Sequence, residues 1–249
     1  MLHVEVSGIG RRLVLVHGFT QTGNSWGTIA SELAAEHEVV RVDAPGHGRS
    51  SNVHVDQPDG ARLLGAVGAR AAYLGYSMGG RLALHLALGE PNLVERLILV
   101  STTAGIDDPA ERAERRAADE RLAAELERDG LEAFLERWLR LPLFSGLRAD
   151  AAGMELRRRN TVAGLASSLR LAGAGTLDPP LWDRLGSLTM PVLVVAGEVD
   201  AKFRALAERL VDEIGAQASL AVVAGAGHAV HLEAPDAFLS TIRPFLDGS

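Results

Sequence analysis

The sequence predicts an α/β fold: a mostly parallel sheet covered by helices, with an all-helical cap inserted before the sheet is complete. Three observations carry this expectation. Short apolar runs alternate with helical spacings through the first hundred residues, the pattern of a parallel sheet whose strands are buried on both faces. From Asp107 to about Leu181 the alternation stops and no strand pattern is found. At Pro191-Val192-Leu193-Val194-Val195-Ala196 the strand pattern returns. Residues 1–106 and 182–249 therefore read as the core, and residues 107–181 as a cap over the sheet's C-terminal edge, where open α/β sheets bind ligands.

The elements follow in order. Met1-Leu2-His3-Val4-Glu5-Val6 carries a charge within its apolar run and no basic region, so it reads as a first strand and not as a signal peptide. Leu13-Val14-Leu15-Val16 is a fully apolar strand that delivers His17-Gly18-Phe19-Thr20, with His17 read as a packed loop histidine. Helical spacing over residues 25–36 is followed by a strand at residues 38–42. The turn-rich loop Asp43-Ala44-Pro45-Gly46-His47-Gly48-Arg49-Ser50 comes next, with His47 read as structural. A weak, Gly-interrupted helix covers residues 59–69. A strand then ends in Gly75-Tyr76-Ser77-Met78-Gly79, a helix follows, and residues 95–100 form another buried strand.

In the cap, Asp108-Pro109-Ala110-Glu111 is a capping box with proline at the first helical position. The helix it opens runs to about Arg128 and stops at Asp129-Gly130. Further helices are predicted over residues 131–141, 149–159 and 161–172, and a Gly- and Pro-rich loop over residues 173–180. In the resumed core, residues 191–196 deliver Gly197-Glu198-Val199-Asp200 to a helix at residues 201–214. A last strand at residues 219–223 delivers Gly225-Ala226-Gly227-His228. A closing helix covers about residues 235–245, and His231 reads as lying three residues into what looks like that helix.

The composition bounds the function. The 249 residues are 47% hydrophobic and 23% charged, which suits one globular domain with an insertion. A net charge of −7 argues against nucleic acid and against a basic membrane-binding surface. Without cysteine there is no disulfide, thiolate metal site or cysteine nucleophile. No apolar run approaches the roughly 18 residues of a membrane span. The expectation is a cytoplasmic protein acting on a small molecule, with monomer and homo-oligomer both open.

The chemistry centres on Ser77. Gly75-Tyr76-Ser77-Met78-Gly79 fits the G-x-S-x-G nucleophile elbow, in which a strained turn lifts a serine above the sheet edge at a helix N-terminus. A serine hydroxyl needs an imidazole to take its proton, and that imidazole needs a carboxylate to fix its tautomer. His228 and Asp200 follow in chain order, each just past a strand end. His231 is the rival base, and Glu198 the rival acid. Helix capping is the structural alternative for Asp200. The backbone N–H groups of Phe19 and Met78 are placed to form an oxyanion hole. Arg81, four residues after Ser77, shares its helix face. Its charge opposes the helix dipole, which an anionic substrate or a structural acid would explain. Arg112, Arg115 and Arg116 cluster in the cap, where residues 109–159 balance 11 Arg against 11 Asp plus Glu, so charge pattern alone favours an ion-paired surface.

These motifs resemble the α/β-hydrolase superfamily over the whole chain, which implies the α/β-hydrolase fold. Several stretches resemble one branch, the 2-succinyl-6-hydroxy-2,4-cyclohexadiene-1-carboxylate synthases of menaquinone biosynthesis. They are Gly75-Tyr76-Ser77-Met78-Gly79-Gly80-Arg81, Glu111-Arg112-Ala113-Glu114-Arg115-Arg116, Leu156-Arg157 with Leu165-Ala166-Ser167-Ser168-Leu169, Pro180-Leu181-Trp182-Asp183-Arg184-Leu185, and Gly197-Glu198-Val199-Asp200-Ala201-Lys202-Phe203. The resemblance implies a lyase that expels pyruvate from an enolpyruvyl-bearing cyclohexene dicarboxylate by 2,5-elimination, with the triad removing a ring proton and no metal or organic cofactor. It implies that Arg81, Arg115 and Arg157 bind substrate carboxylates, and that Tyr76 and Trp138 line the pocket, core packing being the alternative for both aromatics. One departure is the segment from Ser51 to Arg70, shorter and richer in glycine than the helix usual there. An esterase or C–C bond hydrolase of the same fold is the first rival reading, and a non-catalytic binding protein the second.

Overall fold

The computed structural model describes residues 1–248. Seven strands form one sheet: β1 (Val4–Ser7), β2 (Arg11–Val16), β3 (His37–Val42), β4 (Ala71–Tyr76), β5 (Val94–Val100), β6 (Val192–Gly197) and β7 (Ala218–Val223). Their order is β1-β3-β2-β4-β5-β6-β7. Only β1 runs antiparallel, pairing with β3; every other neighbouring pair is parallel.

Alternation along the strands splits the core in two, because successive side chains point to opposite faces. Val14, Tyr73, Leu97, Leu99 and Val194 face α2 (Gln57–Gly68), α3 (Met78–Gly89) and α8 (Ala201–Ile214), whose Leu64, Leu84, Leu86 and Leu210 complete one cluster. Leu13, Leu15, Leu74, Ile98 and Val195 face α1 (Gly27–Leu33) and α10 (Pro235–Asp247), with Trp26, Ile29, Phe238 and Ile242. The glycines of α2 have a use here. A Cβ at Gly60 would lie 3.0 Å from Leu82, and one at Gly65 2.9 Å from Leu86, so their absence lets α2 and α3 pack closely.

Between β5 and β6 the chain is helical: α4 (Pro109–Asp129), α5 (Leu131–Leu139), α6 (Met154–Arg157) and α7 (Val162–Ala172). Asp108 caps α4 by accepting from the N–H groups of Ala110 and Glu111. A third apolar cluster, with Leu126, Phe134, Leu135, Leu165 and Leu169, ties α4, α5 and α7 together. The helix expected over residues 149–159 is only the single turn α6. Gly153 is left-handed at φ +65° and starts the helix afresh, while the Asp150 carboxylate accepts from Ala151 N–H and bends the chain before it. Among the described residues no helix is long and apolar enough to cross a membrane.

Candidate active site

Three strand ends bring the candidate residues Ser77, Asp200 and His228 together. β4 runs into Ser77, which holds φ +51°, a strained conformation for a residue with a side chain. Ser77 N–H donates to Val100 C=O at 2.8 Å, and Thr102 hydroxyl donates to Ser77 C=O at 2.7 Å, so both flanks of the turn are fixed. The turn requires its glycines. A side chain at Gly75 would strike the backbone of Gly79, and one at Gly79 the backbone of Val16. Past the end of β6, Asp200 turns one carboxylate oxygen to Phe203 N–H at 3.2 Å, capping α8, and the other to His228 Nδ1 at 2.9 Å. Past β7, His228 brings Nε2 to 3.2 Å from Ser77 Oγ. The acceptor at Nδ1 fixes that nitrogen as the protonated one and leaves Nε2 as the acceptor for the serine proton.

The other histidines are occupied elsewhere. His17 Nε2 accepts from Ala44 N–H at 3.0 Å, so Nδ1 carries the proton and donates to Gly18 C=O at 2.8 Å; burial holds this ring neutral, with its pKa lowered to about 4. His47 is built the same way, accepting from Thr20 N–H and donating to Pro45 C=O, its pKa lowered to about 3 by burial and then by His17. His231 is not in the closing helix. It lies in a separate turn, α9 (Val230–Glu233), packed between Trp26 at 4.6 Å and Tyr76 at 4.5 Å between ring centroids. Neither of its nitrogens has a hydrogen-bond partner among the described residues, and burial lowers its pKa to about 3. Glu198 is spent on Gly225 N–H.

Ser77 and His228 open into a cavity of about 660 Å³ between the sheet edge and the helical segment. Phe19 and Met78 line it beside the serine. Phe19 N–H donates to no other group among the described residues, and Met78 N–H, first in α3, is one of that helix's free donors. Both groups are therefore available to a developing negative charge.

Three arginines line the same cavity. Arg157 is 2% exposed and reaches the Ala152 carbonyl and the Thr20 hydroxyl, while no acid pairs with it among the described residues. Arg81, 9% exposed, makes no salt bridge among the described residues, although the charge of the buried Asp119 acts on it. It donates to Ala172 C=O at 3.0 Å, the last residue of α7, where a helix dipole favours a cation. Burial lowers the pKa of each to about 10, and both stay charged at neutral pH. Arg115 differs: it is half exposed, and its Nε holds Asp119 at 2.9 Å. Tyr76 and Trp138 serve as wall and as packing at once. Tyr76 is buried against His228 and His231, and burial raises the pKa of its hydroxyl. Trp138 packs on Phe19, Phe134 and Phe144, and its indole N–H is buried with no partner among the described residues.

Residues 13–241 match the Alpha/beta hydrolase family. The chain belongs to that family. Within it, the 2-succinyl-6-hydroxy-2,4-cyclohexadiene-1-carboxylate synthase of Serratia proteamaculans (strain 568) is 34% identical, over 94% of this chain and 92% of that one. The solved structure of MenH from S. aureus superposes with a TM-score of 0.90 at 30% identity, covering 99% of this chain and 97% of that one. A thermophilic esterase from Thermogutta terrifontis, solved with malate bound, follows at a TM-score of 0.83 and 26% identity, covering 99% and 93%.

The turn at Ser77 is legible in the sequence, but several residues that support the site escape sequence reading. Asp119 is 2% exposed and burial raises its pKa; only its spacing of four from Arg115 could have signalled the pair. Thr20 and Asn160 anchor the Arg157 turn across 140 residues, with Asn160 amide donating to Thr20 C=O at 2.7 Å, and nothing local announces it. Gln57 joins Arg81 in capping α7. Arg112, expected on an exposed face, is 8% exposed and donates to the carbonyls of Ile106 and Asp107 and to Asp178.

Proposed function

We propose that the protein is a carbon–oxygen lyase that eliminates pyruvate from 2-succinyl-5-enolpyruvyl-6-hydroxy-3-cyclohexene-1-carboxylate, giving 2-succinyl-6-hydroxy-2,4-cyclohexadiene-1-carboxylate in menaquinone biosynthesis, with residues 107–181 as a cap over the site. The observation that carries this reading is the pair of buried guanidiniums that make no salt bridge among the described residues, Arg81 and Arg157, in one cavity with Ser77 and His228; Arg157 has no carboxylate acting on it, and Arg81 only Asp119, which Arg115 already holds. A buried charge is costly unless it is paired. An anionic ligand supplies the partner; a neutral ester does not.

In this reading Ser77 Oγ takes the ring proton as its own proton passes to His228 Nε2. Asp200 keeps the ring in the right tautomer and stabilises the imidazolium. The electron pair released at the ring carbon moves onto the adjacent ketone oxygen, which the N–H groups of Phe19 and Met78 stabilise. It then moves back through the ring and breaks the C–O bond to the enolpyruvyl group. That group leaves as the enolate and becomes pyruvate by taking the proton that His228 holds, which returns the histidine to its neutral form. Arg81, Arg115 and Arg157 hold carboxylates, a task suited to the planar guanidinium fork. Tyr76 and Trp138 form the aromatic walls.

The similarity to the Thermogutta esterase keeps ester hydrolysis as the second reading, since it needs the same three groups plus water. The test is an assay of pyruvate release from the enolpyruvyl substrate beside a panel of p-nitrophenyl esters. Pyruvate release with only trace ester turnover is expected. Efficient ester turnover without pyruvate release would establish the esterase instead.

A further inference from the structure

The His228 side chain is held by Asp200 and Ser77, the groups it reacts with, and by the Phe203 ring at 4.3 Å. Its backbone lies in a connection that enters through Gly225, left-handed at φ +68°. Such a segment has many ways to move unless its own polar groups are tied down. Glu198 ties Gly225 N–H and Val199 N–H ties Ala226 C=O further back, and the two ties that flank His228 itself both end on one side chain. Glu233 Oε2 accepts from Gly227 N–H at 2.8 Å, and Glu233 Oε1 accepts from Ala229 N–H at 2.9 Å. One carboxylate thus spans the residues on either side of His228. Glu233 N–H in turn donates to Ala229 C=O at 2.9 Å, closing a ring of hydrogen bonds around Ala229.

The surroundings leave just enough room for that carboxylate. A Cβ at Gly227 would come to 2.8 Å of Glu233 Oε2, and one at Gly146 would come within contact distance of the same oxygen. Gly146 belongs to the segment between α5 and α6, which also places the Phe144 ring 6.1 Å from the His228 ring. Glu233 therefore sits between the histidine loop and the helical segment above it.

We propose that Glu233 is a positioning residue that sets the reach of His228 to Ser77 by clamping the backbone on both sides of the histidine. The proposal rests on His228 acting as the base. Carboxylate–amide hydrogen bonds are charge-assisted and stronger than neutral ones, and a misplacement of about 1 Å can cost about a hundredfold in rate. Simple capping of α9 is the competing explanation, and it predicts lost stability alone.

The test is Glu233→Gln, which keeps one acceptor and sets an NH₂ against the other N–H. Three quantities are read: kcat and KM on the enolpyruvyl substrate, the rate at which a neutral phosphonofluoridate labels Ser77, and Tm. Positioning predicts a roughly ten- to hundredfold fall in kcat with KM within about threefold, and a parallel fall in labelling rate. Gly146→Ala is the second variant. Its methyl displaces the carboxylate from an exposed loop, so the core stays folded, and a smaller fall of the same two rates is expected. If both variants label and turn over at the wild-type rate, with Tm alone reduced, Glu233 only caps the helix and the proposal is wrong. If the wild type is not labelled at Ser77 while pyruvate is still released, the base reading of His228 fails, and the positioning role with it.

Discussion

The sheet and the helical segment above it are held by different physics. The sheet with its flanking helices buries two apolar clusters, and its buried histidines His17, His47 and His231 are neutral. The segment from α4 to α7 buries one small cluster. Its outer face carries ion pairs such as Arg170 with Glu120 and Glu127, and Arg158 with Glu132. At the cavity the roles divide the same way. The sheet edge supplies Ser77, Asp200 and His228, which need geometry fixed to a fraction of an ångström. The helical segment supplies Arg115 and Arg157, which need only present charge in the right place. Arg81 belongs to both: its backbone is in α3, and its guanidinium caps α7. In the proposed reading the sheet layer thus sets the chemistry, and the helical layer sets the choice of substrate.

Removing a reacting group tests the first half of that division and carries the largest effect. Ser77→Ala, His228→Ala and Asp200→Asn should each lower kcat by a factor of about a thousand or more, with Tm little changed and double variants no worse than singles. Steady-state kinetics and thermal melts measure this; near-wild-type turnover by Ser77→Ala would remove the sheet edge from the chemistry.

Removing a charge tests the second half. A charge-assisted hydrogen bond is worth roughly 1.5–3 kcal/mol, so Arg81→Ala, Arg115→Ala and Arg157→Ala should each lower kcat/KM by about ten- to a hundredfold or more. Lysine should restore only part of this. Arg81→Ala should also loosen the helical segment, since it removes one of the two side chains that cap the C-terminus of α7, so faster proteolysis within residues 107–181 is expected. Arg116→Ala and Arg158→Ala should have small effects on kcat/KM, because both arginines point to surface acids. Arg112→Ala should lower Tm because the buried guanidinium holds two carbonyls. If Arg115 and Arg157 behave like Arg116 and Arg158, the division fails.

The buried histidines give a smaller effect, confined to the sheet. Their folded pKa values of about 3 to 4 lie below the ordinary 6.5, so below pH 6.5 the unfolded chain binds protons that the folded chain refuses. The stability they contribute is complete above pH 6.5 and is lost as pH falls toward 3–4, by at most about 1.4 kcal/mol per pH unit for each histidine. Melting curves from pH 7 to 4.5 should show falling Tm, and His47→Gln should flatten the slope. An unchanged slope would mean the ring does not carry this linkage.

The same division explains what the sequence could and could not reveal. Strands at Leu13-Val14-Leu15-Val16 and Val192-Leu193-Val194-Val195 are legible because burial on both faces leaves continuous apolar runs. The nucleophile turn is legible because its glycines are local requirements. In the helical segment the informative contacts are distant. Arg157 is fixed through Thr20 and Asn160, and Arg112 through Asp178, pairings that no period expresses. The predicted helix over residues 149–159 misread a loop with helical composition, where Gly153 and Asp150 decide the local path. His231 was misplaced because α9 and α10 are separated by a single residue, Ala234.

The most direct test of the account sets one variant against two probes. Arg157→Ala is assayed for kcat/KM on the enolpyruvyl substrate and for the rate of Ser77 labelling by a neutral phosphonofluoridate. If the sheet edge does the chemistry and the buried arginines select the anion, turnover falls by about ten- to a hundredfold or more while labelling stays within about twofold of wild type. Equal losses on both probes would show that Arg157 supports the triad's geometry. No loss on either would show that the buried charge has no part in choosing the substrate.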